Sequence, residues 1–166
     1  VVGGGDWADD RLIPDILRSF EKNDAVVIRN PKATRPWQHV LEPLSGYLIL
    51  AQKLYDNRDK YAEGWNFGPN EQDVKSVDWI LDHMIELWPG ASWELDENEN
   101  PHEATLLNLD ISKASEPLGW TPTWDLQMTL RNTIRWYRVW LNKEGMQVVC
   151  LAEIEEYTKD MSNENR

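Results

Sequence analysis

The helical stripes of this sequence are long and its strand candidates are short, and that imbalance constrains the fold more than any other feature. Residues 10–22 carry Leu12, Ile13, Ile16, Leu17 and Phe20 at helical spacing, and 42–56 carry Leu44, Leu48, Ala51, Leu54 and Tyr55. Val77, Ile80, Leu81, Met84 and Trp88 mark a third helix, and Leu126, Leu130, Ile134, Tyr137 and Leu141 a fourth. Apolar residues three and four apart fall on one helix face, which is why this spacing predicts helix. The strand candidates are 25–28, 65–67, 92–95 and 105–109, with an extended stretch from Arg35 to Val40 where Pro36 biases its predecessor away from helix. Such short runs cannot form an independent doubly wound sheet, so the expected class is α/β with helices and only short strands.

Local signals set the expected boundaries. Pro14 falls in a first helical turn, where a missing N–H costs little. Pro89-Gly90 stops the third helix, Ser112 is placed to cap a short helix ending before Gly119, and Thr123 to cap the helix that follows. The sequence divides into residues 1–145 and a tail, 146–166, that turns strongly charged from about 152 and is expected to fray. Val1-Val2 running into Gly3-Gly4-Gly5 reads like the end of a strand followed by its turn.

Charge narrows the partners. Lys and Arg total 17 against 29 Asp and Glu, a net charge of −12, and such a surface repels phosphate backbones, which disfavours nucleic acid. A phosphate-bearing ligand needs a local basic pocket. No stretch approaches the ~18 consecutive apolar residues of a membrane helix, and the single cysteine, Cys150, fits a reducing cytoplasm.

Gly3-Gly4-Gly5-Asp6-Trp7-Ala8 matches G-x-G-x-x-A in form, but Asp6, Asp9 and Asp10 would repel a diphosphate, so the stretch reads as a loop. His39, His83 and His102 are scattered and suggest no metal cluster. None of Tyr47, Tyr55, Tyr61, Tyr137 and Tyr157 has a Lys four residues on, so no Tyr-Lys pair is available. The segment Arg29-Asn30-Pro31-Lys32-Ala33-Thr34-Arg35-Pro36-Trp37 concentrates three cations in an acidic chain. A planar guanidinium suits a diphosphate, and Trp37 alternates with Arg35 as a flat wall; the same segment also reads as an ordinary basic loop. Asn66 suits a ligand oxygen or its own turn. Most of the ten Trp are read as packing residues.

Together, residues 3–15 (Gly3 to Asp15), 29–47 (Arg29 to Tyr47) and Trp65-Asn66-Phe67-Gly68-Pro69 resemble the C-terminal, sugar-nucleotide-binding half of extended short-chain dehydrogenase/reductases. Pro101-His102-Glu103-Ala104, residues 109–114 and Leu118-Gly119-Trp120-Thr121-Pro122 continue the resemblance in order to about residue 145. Arg35-Pro36-Trp37-Gln38-His39-Val40 points to the CDP-glucose branch of its 4,6-dehydratases. The resemblance implies that Arg11, Leu12 and Ile13 lie along the nucleotide, that Arg35 grips the diphosphate with Asn66 near it, and that His102 and Glu103 sit in a loop closing over the nucleotide. It implies NAD chemistry that oxidises the sugar at C4, eliminates water across C5 and C6, and returns hydride to C6. The tyrosine base, its lysine and the NAD turn would belong to a Rossmann half outside these 166 residues, so this chain alone is expected to bind no cofactor and to be inactive. The expected partner is CDP-glucose or a similar nucleotide sugar, in a homo-oligomer when full length. The runner-up readings are the substrate portion of another extended dehydratase or epimerase, and a noncatalytic ligand-binding domain.

Overall fold

The structure, a computed structural model, describes residues 1–98 and 106–164. Its elements run α1 (Leu12–Lys22), β1 (Val26–Ile28), β2 (Thr34–Pro36), α2 (Leu41–Asp56), α3 (Arg58–Tyr61), β3 (Val74–Ser76), α4 (Val77–Leu87), β4 (Trp93–Leu95), α5 (Ser112–Leu118), α6 (Leu126–Leu141) and α7 (Met146–Glu164). Among the described residues the sheets have two strands each: β1 pairs parallel with β4, and β2 pairs antiparallel with β3. Helices with short strands are what the hydrophobic spacing predicts.

The helices α1, α4 and α6 supply the main core. Ile16 and Phe20 of α1, Ile80, Leu81 and Met84 of α4, and Leu130 and Ile134 of α6 are buried together with Val26 and Ile28 of β1. Each such side chain contributes roughly 1.5–3 kcal/mol by leaving water. A second cluster gathers Tyr61, Phe67, Ala114, Leu118 and Trp120 beneath α2. The α1 helix begins after an extended Arg11 and ends at Asn23, whose left-handed φ of 57° turns its N–H back onto the last turn.

Several local expectations are corrected. Residues 65–67 form no strand; the backbone carbonyl of Phe67 is taken instead by the Gln38 side chain. Of 105–109, Leu106 makes one isolated bridge to Thr34 and 107–109 are irregular, while residue 105 lies outside the described residues. Asp125, not Thr123, caps α6, accepting from the N–H of Met128 at 2.7 Å; Thr123 instead donates its N–H to Glu42. Asp110 rather than Ser112 serves the start of α5, accepting from both the N–H and the hydroxyl of Ser112. The expected fraying tail is the 19-residue helix α7, held by the buried residues Glu153 and Tyr157. The predicted core stripe of α2 is largely the solvent face: Leu44, Leu48 and Tyr55 are exposed, and of the stripe Leu54 faces the second cluster, joined there by Ile49 and Leu50. The helix is apolar on both sides, so spacing alone does not say which side turns inward.

A buried polar pair joins the segment before α2 to α7. His39 is fully buried; its Nδ1 accepts from the N–H of Leu41 at 3.3 Å, which assigns the ring proton to Nε2. That Nε2 lies 3.9 Å from the Glu153 carboxyl, with no hydrogen-bond partner among the described residues. Burial, helped by the charge of Arg135, lowers the imidazole to about 4. Burial, opposed by Arg135 and reinforced by Glu156, pushes Glu153 up to about 7.

The two groups give stability opposite pH slopes. From about 4 to 6.5 the unfolded chain binds a proton at His39 that the folded chain does not, so stability rises with pH. From 4.5 to about 7 the folded chain holds a proton at Glu153 that the unfolded chain has lost, so stability falls with pH. The slopes cancel where the windows overlap. Glu153→Gln removes the falling slope, so the variant should gain stability relative to wild type by roughly 1.4 kcal/mol per pH unit across the overlap. Urea unfolding at pH 4.5, 5.5 and 6.5 measures this, and parallel pH profiles for the two proteins would contradict it.

Candidate functional site

The site is built on the turn after β1. Ala33 donates its N–H to the carbonyl of Asn30, and the first N–H groups of α4, from Val77 and Asp78, bond the carbonyls of Ala33 and Pro31. Lys32 pairs with Asp78, whose carboxyl is held below the usual carboxylate range first by Lys32 and then by Ser76. One cation of the basic segment is thus spent on fastening the turn to α4. The other two, Arg29 and Arg35, line a cavity of about 340 Å³. Leu12, β1, Asn30, Ala33, Trp37 and Val77 complete its wall, with Asp10 and Asp15 contributed by the chain entering α1 and by its first turn.

Three of the residues singled out in the sequence therefore converge: Leu12, Arg35 and Trp37. Arg35 donates from Nη1 to the carbonyl of Thr34 at 2.8 Å. The indole N–H of Trp37 reaches the carbonyl of Lys75 at 2.9 Å, across to β3, which fixes the orientation of the ring. Arg11 points elsewhere, pairing with Asp6, and Ile13 is buried in the main core at 4% exposure. Asn66 is exposed and donates to the carbonyl of Asp110 at 3.3 Å. It does not line the cavity, but its loop is tied to the Arg35 segment through Gln38, whose buried amide donates to Phe67 at 2.8 Å. His102 and Glu103 lie outside the described residues.

Sequence reasoning missed Gln38, Asp10 and Asp15. Nothing in a single buried amide announces a cross-link between distant segments. Asp10 was read only as repelling phosphate and Asp15 was given no role, although the acidic run beside a helix start was itself the available signal.

The rest of the described chain offers little reactive chemistry. Burial, and then the neighbouring Glu21, push Tyr137 up to about 12, and burial also raises Tyr157, the opposite of what activates a phenolic base. The Gly3-Gly4-Gly5 turn is filled rather than open: a Cβ on Gly4 would stand 2.1 Å from the Trp136 ring. Gly4 and Gly5 serve close packing against Trp136 of α6 and Gly3 against Val40, and the residues present do not fit a dinucleotide cradle. Val2 pairs alongside His39 through its N–H to Gln38 and its carbonyl to Val40, both at 2.8 Å. Among the described residues no group of three or more His, Cys, Asp or Glu could hold a metal ion. No helix there is long and apolar enough to cross a membrane.

No family model matches the chain. It is 56% identical over 158 residues to CDP-glucose 4,6-dehydratase of Salmonella typhimurium, a match covering 95% of this chain and 44% of that enzyme. The chain thus spans less than half the length of its curated relative. Among solved structures it is similar to UDP-glucuronic acid 4-epimerase from Bacillus cereus in complex with UDP-4-deoxy-4-fluoro-glucuronic acid and NAD, with a TM-score of 0.68 at 20% identity over 83% of this chain and 43% of that one. It is also similar to dTDP-glucose 4,6-dehydratase from Bacillus anthracis in complex with NAD, with a TM-score of 0.64 at 16% identity over 83% and 42% of the two chains. In sequence the chain is homologous to the C-terminal portion of CDP-glucose 4,6-dehydratase, and in fold it matches the C-terminal part of extended short-chain dehydrogenase/reductase enzymes.

Proposed function

We propose that this chain is the substrate-binding portion of a CDP-glucose 4,6-dehydratase, with residues 1–145 carrying the nucleotide-sugar site. The observation that carries the reading is the cavity in which Arg29 and Arg35 stand beside Leu12 and Trp37, in a protein of net charge −12. Two guanidinium groups on a braced turn suit a diphosphate, since their forked N–H donors match its oxygens and need little reordering on binding. The apolar residues of β1 and Leu12, with the flat Trp37 ring, suit the uncharged parts of the ligand.

NAD, when bound by the remainder of such an enzyme, supplies hydride transfer. The contribution of this chain is to hold the diphosphate, orient the sugar away from it and exclude water. Two of its tyrosines are shifted away from service as a base, and none has the paired Lys, so the chain alone is proposed to oxidise nothing. The full enzyme is proposed to act as a cytoplasmic homo-oligomer.

The ten Trp provide the assay. CDP-glucose should quench intrinsic fluorescence at lower concentration than UDP-glucose or GDP-glucose, and an equal response to all three would remove the CDP assignment. Arg35→Ala should weaken CDP-glucose binding by roughly 1.5–3 kcal/mol, the scale of a charge-assisted hydrogen bond. Unchanged affinity would make Arg35 a surface charge only. Gln38→Leu leaves the Phe67 carbonyl without its donor and should cost roughly 1–3 kcal/mol in urea unfolding; full stability in that variant would show the Gln38 bridge to be dispensable.

A further inference from the structure

The cavity is not uniformly basic. Arg29 and Arg35 line it together with two carboxylates, Asp10 and Asp15. A diphosphate is drawn to the guanidinium groups and repelled by the carboxylates, so an elongated ligand carrying one is oriented with its phosphates at the arginines and its other groups toward the aspartates. Asp15 sits in the first turn of α1, where Arg18 holds it through Oδ1. Asp10 takes the left-handed conformation, φ 59°, just before that helix, and makes no ion pair among the described residues.

An ionised carboxylate only accepts hydrogen bonds. Cytosine presents a donor, its exocyclic amine, at the ring position where uracil and thymine present a carbonyl oxygen. We infer that Asp10 and Asp15 select the base, accepting from the cytosine amine and turning away a 4-oxo pyrimidine whose lone pairs would face their own. The inference rests on the nucleotide-sugar reading above and adds the residues that discriminate one pyrimidine from the other. A site built to bond an amine rejects an analogue lacking it more strongly than apolar contact could, because the carboxylate is then left without its donor.

Calorimetric titration of this chain with CDP and with UDP tests it, using the wild type, Asp10→Asn, Asp15→Asn and the double variant. An amide both donates and accepts, so the double variant should lose the preference for CDP by roughly tenfold or more, through weaker CDP binding with UDP binding kept or strengthened. Retained UDP binding also reports an intact cavity. A wild type that prefers CDP, with a double variant that keeps the same preference, overturns the inference and leaves the nucleotide-sugar reading standing. A wild type with no preference overturns both. Should loss of the Arg18 contact unfold the Asp15 variants by circular dichroism, the ratio is read from Asp10→Asn, and an unchanged ratio there overturns the proposal.

Discussion

The carboxylate of Glu42 ties together parts of the chain that are far apart in sequence. It is fully buried at the start of α2 and accepts from the N–H groups of Thr123 and Trp124 at 3.0 and 2.8 Å, and from the hydroxyl of Tyr157 at 2.8 Å. A charge taken out of water is tolerated only when its lone pairs are met this fully. The arrangement thereby dictates where the turn before α6 and the middle of α7 must lie relative to α2. It also anchors the C-terminal end of the segment that carries Arg35 and Trp37, whose other attachments are Trp37 to Lys75, Gln38 to Phe67 and Val2 to Val40. The ligand-facing segment is held almost residue by residue.

That anchoring bears on the electrostatics of the cavity. In a protein of net charge −12, two arginines attract an anion only if nearby carboxylates cannot swing over to neutralise them. Lys32 and Asp78 neutralise one another at the base of the turn, and Arg18 gathers Asp9 and Asp15 on the opposite side. The cavity wall carries Arg29 and Arg35 together with Asp10, while its other carboxylate, Asp15, stays with Arg18.

Much of this was legible from residue order. The stripes of α1, α4 and α6 were written in positions such as Ile16, Ile80 and Leu130, because each of these helices has one apolar face and one place to put it. The pairing of Arg35 with Trp37 was legible from their alternation, but that Leu12 joins them was legible only through the family resemblance, since nothing local relates residue 12 to residue 35. The α2 helix was misread because both its faces are apolar, and propensity cannot rank them. Asn66 lacked its strand because a strand needs a neighbour, and the nearest donor proved to be the side chain of Gln38. The tail was misread because its charged residues conceal Glu153 and Tyr157, whose burial depends on His39 and Glu42 more than a hundred residues earlier.

The outward face of α2 has a consequence for the chain in solution. Leu44, Tyr47, Leu48 and Tyr55 fall on one side by helical spacing and are 45%, 56%, 74% and 92% exposed. Apolar surface of this kind favours self-contact, while the net charge of −12 keeps copies apart. Repulsion between exposed charges weakens as the Debye length shrinks from about 10 Å at 0.1 M salt to about 3 Å at 1 M, whereas apolar attraction does not. Colloidal behaviour is then a contest decided by ionic strength: dilute buffer keeps the molecules dispersed, and concentrated salt gives the leucines and tyrosines of α2 the advantage.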